Sequence, residues 1–234
     1  SSDVCSSDLG WIDLSELQRR KKGVKNSAGR VLVFDLDDTL IPSAQLYPLA
    51  LQKVGIDERG PRYLAARSQV KAELPTLHVS ARNRLLYFKR YLELEDRFSA
   101  GEVLRLMNDY EAALQELIAQ FWTAERTEIL KQLKSSFTLC LLTNENLRTQ
   151  MSKVAAFDPH GELFDAIWTS EEVGFEKPNA EGFLRIEMFF NSANMLNTFT
   201  MIGDDWQNDM APALSRGWQA IQTFEFAKDH PRSE

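Results

Sequence analysis

The sequence predicts an α/β fold, in which helices sandwich a Rossmann-like parallel sheet and an all-helical subdomain is inserted. Three observations indicate this class. The short apolar run at 31–34 is typical of a buried central strand in a parallel sheet. After residue 121, helical and strand patterns alternate, as they do around parallel sheets. Between these regions, residues 43–120 have helical patterns only, and such a block is too long for an ordinary crossover.

Each element follows from its own pattern. Pro42 cannot continue the first strand, and glycine and proline residues divide the block that follows into separate helices. The predicted helices lie near 43–54, 61–74, 80–95, 100–120, 123–134, 145–156, 179–190 and 207–215. Further strands are predicted at 137–142, 165–169, 199–203 and 218–223. We therefore expect a core domain formed by residues 30–42 and 121–234, and a helical subdomain formed by residues 43–120.

Residues 1–29 are interpreted as a leader outside this fold. Residues 1–9 resemble the read-through of a sequencing adaptor and are taken as non-native. The start of the chain lacks the charged and then apolar pattern of a secretory signal. The basic run at 19–22 is interpreted as a solvated surface rather than a binding site.

The composition argues against several classes of function. With 44% hydrophobic residues the chain can form a sizeable core, and no apolar run approaches the length of a membrane span. A net charge of −7 argues against a nucleic-acid surface, although a locally positive site could still bind an anion. Two cysteines, Cys5 and Cys140, provide no disulfide framework, so a cytoplasmic location is expected. The oligomeric state is left open.

Three acids follow the first strand within four positions: Asp35, Asp37 and Asp38. They lie at the carboxyl end of the strand, where open α/β sheets bind their ligands. At a separation of about 4 Å and an effective dielectric constant near 20, two such charges repel by about 4 kcal/mol. A cation or a proton must therefore relieve the cluster. The rest of the sequence is expected to supply the groups that relieve it.

Four motifs in this order resemble those of the haloacid dehalogenase (HAD) superfamily, which consists mostly of phosphatases. They are Asp-Leu-Asp-Asp-Thr at 35–39, Leu-Leu-Thr-Asn at 141–144, Glu-Lys-Pro at 176–178 and Gly-Asp-Asp-Trp-Gln-Asn-Asp at 203–209. The resemblance covers roughly residues 30–225. It implies that the helical block is a cap of the C1 type, which closes over the active site.

The first motif supplies the reacting groups of the expected chemistry. Asp35 is the candidate nucleophile, since a carboxylate can attack phosphorus and hold the phosphoryl group as an acyl phosphate. Asp37 is the candidate general acid and base, which protonates the leaving oxygen and then deprotonates water. By resemblance, the dehalogenase branch lacks an acid at this position, so Asp37 favours a phosphatase.

The second and third motifs are expected to bind the phosphate. The hydroxyl group of Thr143 and a backbone N–H group beside it could bind phosphate oxygens. Asn144 either shares that role or caps the following helix. Lys177 would neutralise both the nucleophile and the incoming phosphate.

The fourth motif is expected to complete a magnesium site. Asp204 beside Asp35 would form an all-oxygen site with few protein ligands, which suits Mg²⁺. The resemblance adds the backbone carbonyl of Asp37 as a ligand. Asp205 or Asp209 would orient water or Lys177, and the spacing after Gly203 favours Asp209.

Arg82 is a candidate substrate-binding residue in the helical block. On a helix over 80–95 it would share a face with Leu85 and Leu86. A guanidinium beside such an apolar stripe could contact an anionic part of the substrate. The alternative is an ion pair between Arg82 and a neighbouring acid of the cap.

The sequence thus predicts a HAD-like phosphomonoester hydrolase that requires Mg²⁺, acts on a small organic phosphate and forms an aspartyl-phosphate intermediate. Two alternatives remain: a phosphomutase of the same family, and a catalytically inactive binding protein on this fold. Phosphate-receiver domains are disfavoured, because they phosphorylate an aspartate after a different strand and have no helical insertion here.

Overall fold

The computed structural model describes residues 29–76, 78–191 and 197–226. Residues 1–28 lie outside this part of the chain, so the interpretation of the leader, its first nine residues and its basic run stays a prediction. Within the described ranges, none of the helices combines the length and the apolar character required to cross a membrane.

The centre of the fold is a five-stranded parallel sheet with the strand order β3-β2-β1-β4-β5. The strands are β1 (Arg30–Phe34), β2 (Thr138–Thr143), β3 (Ala166–Thr169), β4 (Thr198–Gly203) and β5 (Gln219–Gln222). Strand β1 is central, and Phe34 is in register with Leu141 of β2 and Ile202 of β4. Residues 31–34 are buried, as expected for a strand covered on both faces. The predicted α/β fold is confirmed.

Five helices of the described chain lie between β1 and β2. The first four are α1 (Ser43–Lys53), α2 (Pro61–Glu73), α3 (Arg84–Leu94) and α4 (Ala100–Phe121). We call residues 43–121 the helical insertion. Its aromatic core centres on Phe88, whose ring lies 5.3 Å from that of Tyr110 and 6.5 Å from that of Tyr63. These residues belong to the same buried cluster as Phe34 of the central strand. The insertion and the core therefore share one hydrophobic cluster, and the division of the insertion from the core as a separate domain stays a prediction.

Helices and strands alternate in the second half of the chain, as predicted. The helices are α5 (Ala124–Lys134), α6 (Leu147–Ala155), α7 (Ser170–Val173), α8 (Glu181–Phe190) and α9 (Ala211–Ser215). Helix α7 was not predicted, although Thr169 and Glu172 form a capping box at its start.

The helix predicted near 207–215 forms, but its first part is not α-helical. A π-helical turn over Trp206–Met210 precedes α9. Pro212, which has no N–H group, lies at the start of α9 and cannot donate a regular helical hydrogen bond back into that turn.

Two helices begin later than predicted, because an asparagine caps each of them. Asn83 caps α3 by accepting the N–H of Leu85 at 2.9 Å, so Arg82 precedes the helix and the predicted face that it shares with Leu85 and Leu86 does not form. Asn146 caps α6 by accepting the N–H of Thr149 at 3.0 Å. The capping role considered for Asn144 is therefore wrong.

Candidate active site

A cavity of about 180 Å³ lies at the carboxyl ends of β1, β2 and β4. We call it the acidic crevice. Its lining includes all the site residues predicted from the sequence, namely Asp35, Asp37, Arg82, Thr143, Asn144, Lys177, Asp204, Asp205 and Asp209. The strand order reverses direction at β1, and open α/β sheets bind ligands at such a switch point. The parallel sheet brings together residues that are far apart in the sequence.

Lys177 is the cation at the floor of the acidic crevice. Its Nζ lies 2.8 Å from Oδ1 of Asp35 and 2.5 Å from Oδ1 of Asp209. All three residues are buried. Asp35 is held at the end of β1 by its backbone N–H, which donates to the carbonyl of Ile202 at 2.8 Å. One ammonium group therefore faces two buried carboxylates.

This excess of negative charge appears in the pKa values of the acids. Burial, with added repulsion from Asp209, raises the pKa of Asp35 to about 8 against the opposing effect of the Lys177 ammonium. Burial, again with repulsion from Asp209, raises the pKa of Asp204 to about 6. Burial alone would lower the pKa of Lys177, but Asp209 and Asp35 outweigh it and hold that pKa above its usual range. The protein groups alone leave the crevice short of positive charge.

Asp35, Asp204 and Asp209 offer carboxylate oxygens that all lie within 4.8 Å of one another. Thr39 Oγ1 donates to Asp204 Oδ1 at 3.3 Å and helps to orient it. Three hard oxygen donors, with a single ammonium group beside them, fit a small divalent cation such as Mg²⁺.

Asp205 and Asp209 have different tasks in the structure. Asp205 caps the π-helical turn, because its Oδ1 accepts the N–H groups of Gln207 at 2.8 Å and Asn208 at 3.1 Å. Asp209 contacts Lys177, as the spacing of the motif indicated. Gly203 makes room for it, since a Cβ atom at position 203 would lie 2.2 Å from Asp209 Oδ2.

Asp37 lies on the other side of the acidic crevice, within a separate hydrogen-bond network. Lys153 Nζ lies 2.8 Å and 3.0 Å from its two carboxylate oxygens, and Tyr47 donates to it at 2.7 Å. Gln150 donates at 3.0 Å, and the hydroxyl group of Ser43 also donates. Burial raises the pKa of Asp37, but Lys153 and these hydrogen bonds outweigh it and hold the pKa well below its usual range. Asp37 is therefore a carboxylate at neutral pH.

The sequence analysis did not identify Lys153, Gln150 or Tyr47. Lys153 and Gln150 are three residues apart on α6, so helical periodicity places them on one face. Both side chains are fully buried. A lysine and a glutamine on the apolar face of a helix are unusual, and this pattern could have identified both residues from the sequence.

Thr143 and Asn144 connect the second motif to its neighbours. The Thr143 hydroxyl accepts a hydrogen bond from Gln150 Nε2 at 2.6 Å, which leaves its own proton available to a ligand. The side chain of Asn144 makes two hydrogen bonds with the backbone of Lys177. Its Oδ1 accepts the N–H of Lys177 at 2.7 Å, and its Nδ2 donates to the carbonyl of Lys177 at 3.1 Å. Asn144 thus holds the loop that positions Lys177.

Arg82 lies in the turn before α3, and its side chain is 52% exposed. Its Nε is 3.6 Å from Oε1 of Glu176, the residue before Lys177. The ion pair considered in the sequence analysis therefore forms, but with an acid of the core rather than of the cap. Arg82 is the residue of the helical insertion that lines the acidic crevice.

Comparison with known proteins agrees with this geometry. Residues 30–215 match the family model described as haloacid dehalogenase-like hydrolase. No curated protein matches the chain. Among solved structures, the chain is similar to YfnB of Bacillus subtilis, described as a HAD-hydrolase bound to magnesium. The identity is 21%, the alignment covers 88% of this chain and 93% of YfnB, and the TM-score is 0.59.

Two further structures show the same fold. One is the 2-haloacid dehalogenase of Pseudomonas syringae pv. Tomato DC3000, with 22% identity, coverage of 88% of this chain and 91% of that one, and a TM-score of 0.55. The other is a haloacid dehalogenase-like family hydrolase from Xanthomonas campestris, with 24% identity, coverage of 88% and 84%, and a TM-score of 0.55.

Proposed function

This chain belongs to the haloacid dehalogenase-like hydrolases, and we propose that within this family it is a magnesium-dependent phosphatase. Its substrate is a small phosphorylated metabolite, and the reaction passes through an aspartyl phosphate on Asp35. The observation that supports this activity over dehalogenation is Asp37, an acid two residues after the nucleophile that lines the same crevice. By resemblance, dehalogenases lack an acid at that position.

Asp35, Asp204 and Asp209 would hold the metal, together with the backbone carbonyl of Asp37 that the resemblance adds. Mg²⁺ bound there would neutralise the carboxylates and the phosphate charge. Lys177 contributes a fixed positive charge next to Asp35 and attracts the phosphate into the crevice. The hydroxyl of Thr143 donates its free proton to a phosphate oxygen.

In the first step, a carboxylate oxygen of Asp35 attacks phosphorus, and the bond between phosphorus and the leaving oxygen breaks. Asp37 gives its proton to that oxygen, so that the alcohol leaves neutral. The network around Asp37 favours its carboxylate, so the proton must be taken up before this step. Burial of the substrate beside Asp37 favours that uptake, because it removes water from the carboxylate.

In the second step, water attacks phosphorus and the bond to Asp35 breaks. Asp37, now a carboxylate again, accepts the proton of the water. The pairing with Lys153 at 2.8 Å stabilises this charged form. Asp37 then carries the proton that it gives to the leaving oxygen of the next substrate.

The helical insertion is proposed to act as the cap. Arg82 reaches the acidic crevice from the insertion and is proposed to bind the substrate. The contacts between the insertion and α6 include Arg148 Nη2, which lies 2.7 Å from Glu111 of α4, and Gln115 Nε2, which donates to the carbonyl of Ser152 at 3.1 Å. Closure would exclude water from the crevice and strengthen its electrostatics.

The test is activity of the purified protein with Mg²⁺ on a panel of phosphorylated metabolites and 2-haloacids, with release of phosphate and of halide measured separately. Phosphate release that Asp35→Asn abolishes is the expected result, and a trapped acyl phosphate on Asp35 is the sharpest support. Halide release without phosphate release would overturn the proposal. So would an isomeric phosphate product without free phosphate, which is the result for a mutase, or no turnover by a well-folded protein.

A further inference from the structure

A second and larger cavity, of about 590 Å³, opens between the helical insertion and the core. Its lining shares Asp37, Asp38, Arg82 and Asn144 with the acidic crevice, so the two cavities adjoin. A substrate whose phosphoryl group lies in the crevice would extend its leaving group into this space. We call it the cap cavity.

Four cationic side chains of the insertion line the cap cavity: Arg67, Lys71, Arg82 and Arg84. Two of them have acid partners, because Arg67 lies 3.5 Å from Glu58 and Arg82 lies 3.6 Å from Glu176. For Lys71 and Arg84, no carboxylate oxygen of the described residues lies within the 4.0 Å of an ion pair. Two cations at this cavity therefore lack a counter-ion there.

The remaining acids of the described lining form no ion pair with these two cations, although Glu145 attracts Arg84 and Glu176 attracts Lys71 from a longer distance. Asp37 pairs with Lys153 at 2.8 Å, and Glu145 lies 3.7 Å from the same ammonium. Asp38 lies at the opening shared with the crevice, where it accepts the N–H of Ala44 at 2.8 Å and repels Asp204. Its charge adds to that of the metal site.

Arg84 is held in place although no acid pairs with it. The centre of its guanidinium lies 4.7 Å from the ring centroid of Tyr47 and 5.5 Å from that of Tyr87. Its Nη1 donates to the carbonyl of Arg82 at 2.9 Å, while its Nε is buried without a hydrogen-bond partner among the described residues. A guanidinium fixed by ring faces is preorganised to bind an anion.

The pKa of Lys71 shows that like charges are crowded at this cavity. Burial lowers this pKa, and Arg67, Arg82 and Arg84 lower it further. Like charges held together in this way favour the binding of an anion that relieves their repulsion.

We propose that the cap cavity is a second anion subsite, and that the substrate is a small organic phosphate whose leaving group carries a second anionic group. That group is a carboxylate or a second phosphate, contacted by Lys71 and Arg84 while the scissile phosphate lies in the acidic crevice. The part of this inference that concerns catalysis rests on the proposed function. Binding of an anion to the subsite can be tested without turnover.

The experiment uses two matched pairs of probes. 3-Phosphoglycerate differs from glycerol 1-phosphate by a carboxylate in place of a hydroxymethyl group, and fructose 1,6-bisphosphate differs from fructose 6-phosphate by a second phosphate. Each is tested with wild-type protein and Mg²⁺, for turnover and for the rise in melting temperature on binding. The pair with the larger difference identifies which anion the subsite prefers.

The variants are Lys71→Met and Arg84→Met, with Lys89→Met as the matched control. Lys89 is an exposed lysine of α3 that pairs with Glu93 on the same helix. Loss of one charge-assisted contact corresponds to a fall of about 10- to 150-fold in kcat/KM for the doubly anionic probe. For the singly anionic probe we expect a change below about threefold.

The readouts separate the two proposals. Lys71→Met keeps the test valid if Arg84→Met fails to fold. Preferential binding of a doubly anionic probe that Lys71→Met removes supports the subsite, even if no probe is turned over and the proposed function fails. Equal binding of both members of each pair, or equal effects of Lys71→Met and Lys89→Met, overturns the subsite even where phosphatase activity is present.

Discussion

Lys153 Nζ lies 2.8 Å from Oδ1 of Asp37, and the two residues are 116 positions apart in the chain. The lysine side chain is fully buried, and that of Asp37 is 24% exposed. A buried ammonium requires a partner, because removing one charge from water costs several kcal/mol. This pair joins the first motif to α6 and fixes the charge state of the candidate acid and base.

The first prediction concerns the loss of this ammonium group. Lys153→Met should lower the free energy of unfolding by about 3 kcal/mol, because Asp37 loses its counter-ion in a mostly buried position. The pKa of Asp37 should then rise, since burial is no longer opposed. Urea denaturation measures the first effect.

Lys131→Met is the matched control for this change. Lys131 pairs with Glu162 at 2.8 Å, but both side chains are about half exposed. Such surface pairs contribute about 0–1 kcal/mol. Adding Asp37→Asn to Lys153→Met should restore part of the lost stability. Equal losses in Lys153→Met and Lys131→Met would contradict the role assigned to the buried pair.

The second prediction concerns the leaving group. Asp37→Asn should reduce turnover of an alkyl phosphate by about 10²- to 10⁴-fold, the usual contribution of general acid–base catalysis. The loss should be smaller for nitrophenyl phosphate, whose leaving oxygen needs no proton. Steady-state kinetics on both substrates check this, with melting temperatures to confirm that the variant is folded. Equal losses on both substrates would remove Asp37 from the acid role.

The third prediction concerns magnesium and pH. The folded pKa of Asp35, about 8, and that of Asp204, about 6, exceed the ordinary value of 3.8. The folded state therefore binds more protons than the unfolded state, and these groups make the metal-free protein less stable as pH rises from about 4 to about 8. A cation beside the carboxylates opposes this loss. The stabilisation by Mg²⁺ should consequently grow between about pH 5 and about pH 8.

Melting temperatures with EDTA and with Mg²⁺ across this range test the sign of the effect. Asp35→Asn removes one of the titrating groups and should flatten the dependence. Stabilisation by Mg²⁺ that does not change with pH would contradict the assigned shifts. Full activity after exhaustive chelation would show that the metal is not required for turnover.

The sequence was sufficient to locate the acidic crevice, because three of the four motifs lie at the ends of strands. A parallel sheet places the carboxyl ends of β1, β2 and β4 at one edge. Asp35, Thr143 and Asp204 therefore lie close together regardless of the conformation of the loops that follow them. The fold class followed from the same patterns, since strand alternation and a helical block are local features of the chain.

Lys153 could not be identified in the same way. Helical periodicity places Lys153 on one face with Gln150, but its burial depends on how α6 packs near α4 and α1, which periodicity does not specify. Arg82 was misplaced for a different reason, because the periodic pattern of α3 extends past the cap formed by Asn83. Periodicity identified the helix, but the cap residue determined where it begins.

The last prediction concerns Gly203, which ends β4 beneath Asp209. A Cβ atom there would lie 2.2 Å from Oδ2, 2.6 Å from Cγ and 2.8 Å from Cβ of Asp209. Rotation of the Asp209 side chain cannot move its own Cβ, so Gly203→Ala must displace the residue. Lys177 would then lose the carboxylate 2.5 Å from its Nζ, and the metal site would lose an oxygen donor.

Gly203→Ala should therefore weaken Mg²⁺ binding by about 10- to 100-fold and lower kcat/KM by at least about 100-fold. Gly101→Ala is the matched control, because nothing lies within 4 Å of a Cβ atom at that position of α4. Alanine is the better helix former, so this control should keep full activity and a melting temperature equal to or above that of the wild type. Calorimetric titration with Mg²⁺ and kinetics on the preferred substrate compare the two variants. If Gly203→Ala bound Mg²⁺ as tightly as Gly101→Ala does, Asp209 would not belong to the proposed metal site, and Asp35 and Asp204 would be its only carboxylate ligands.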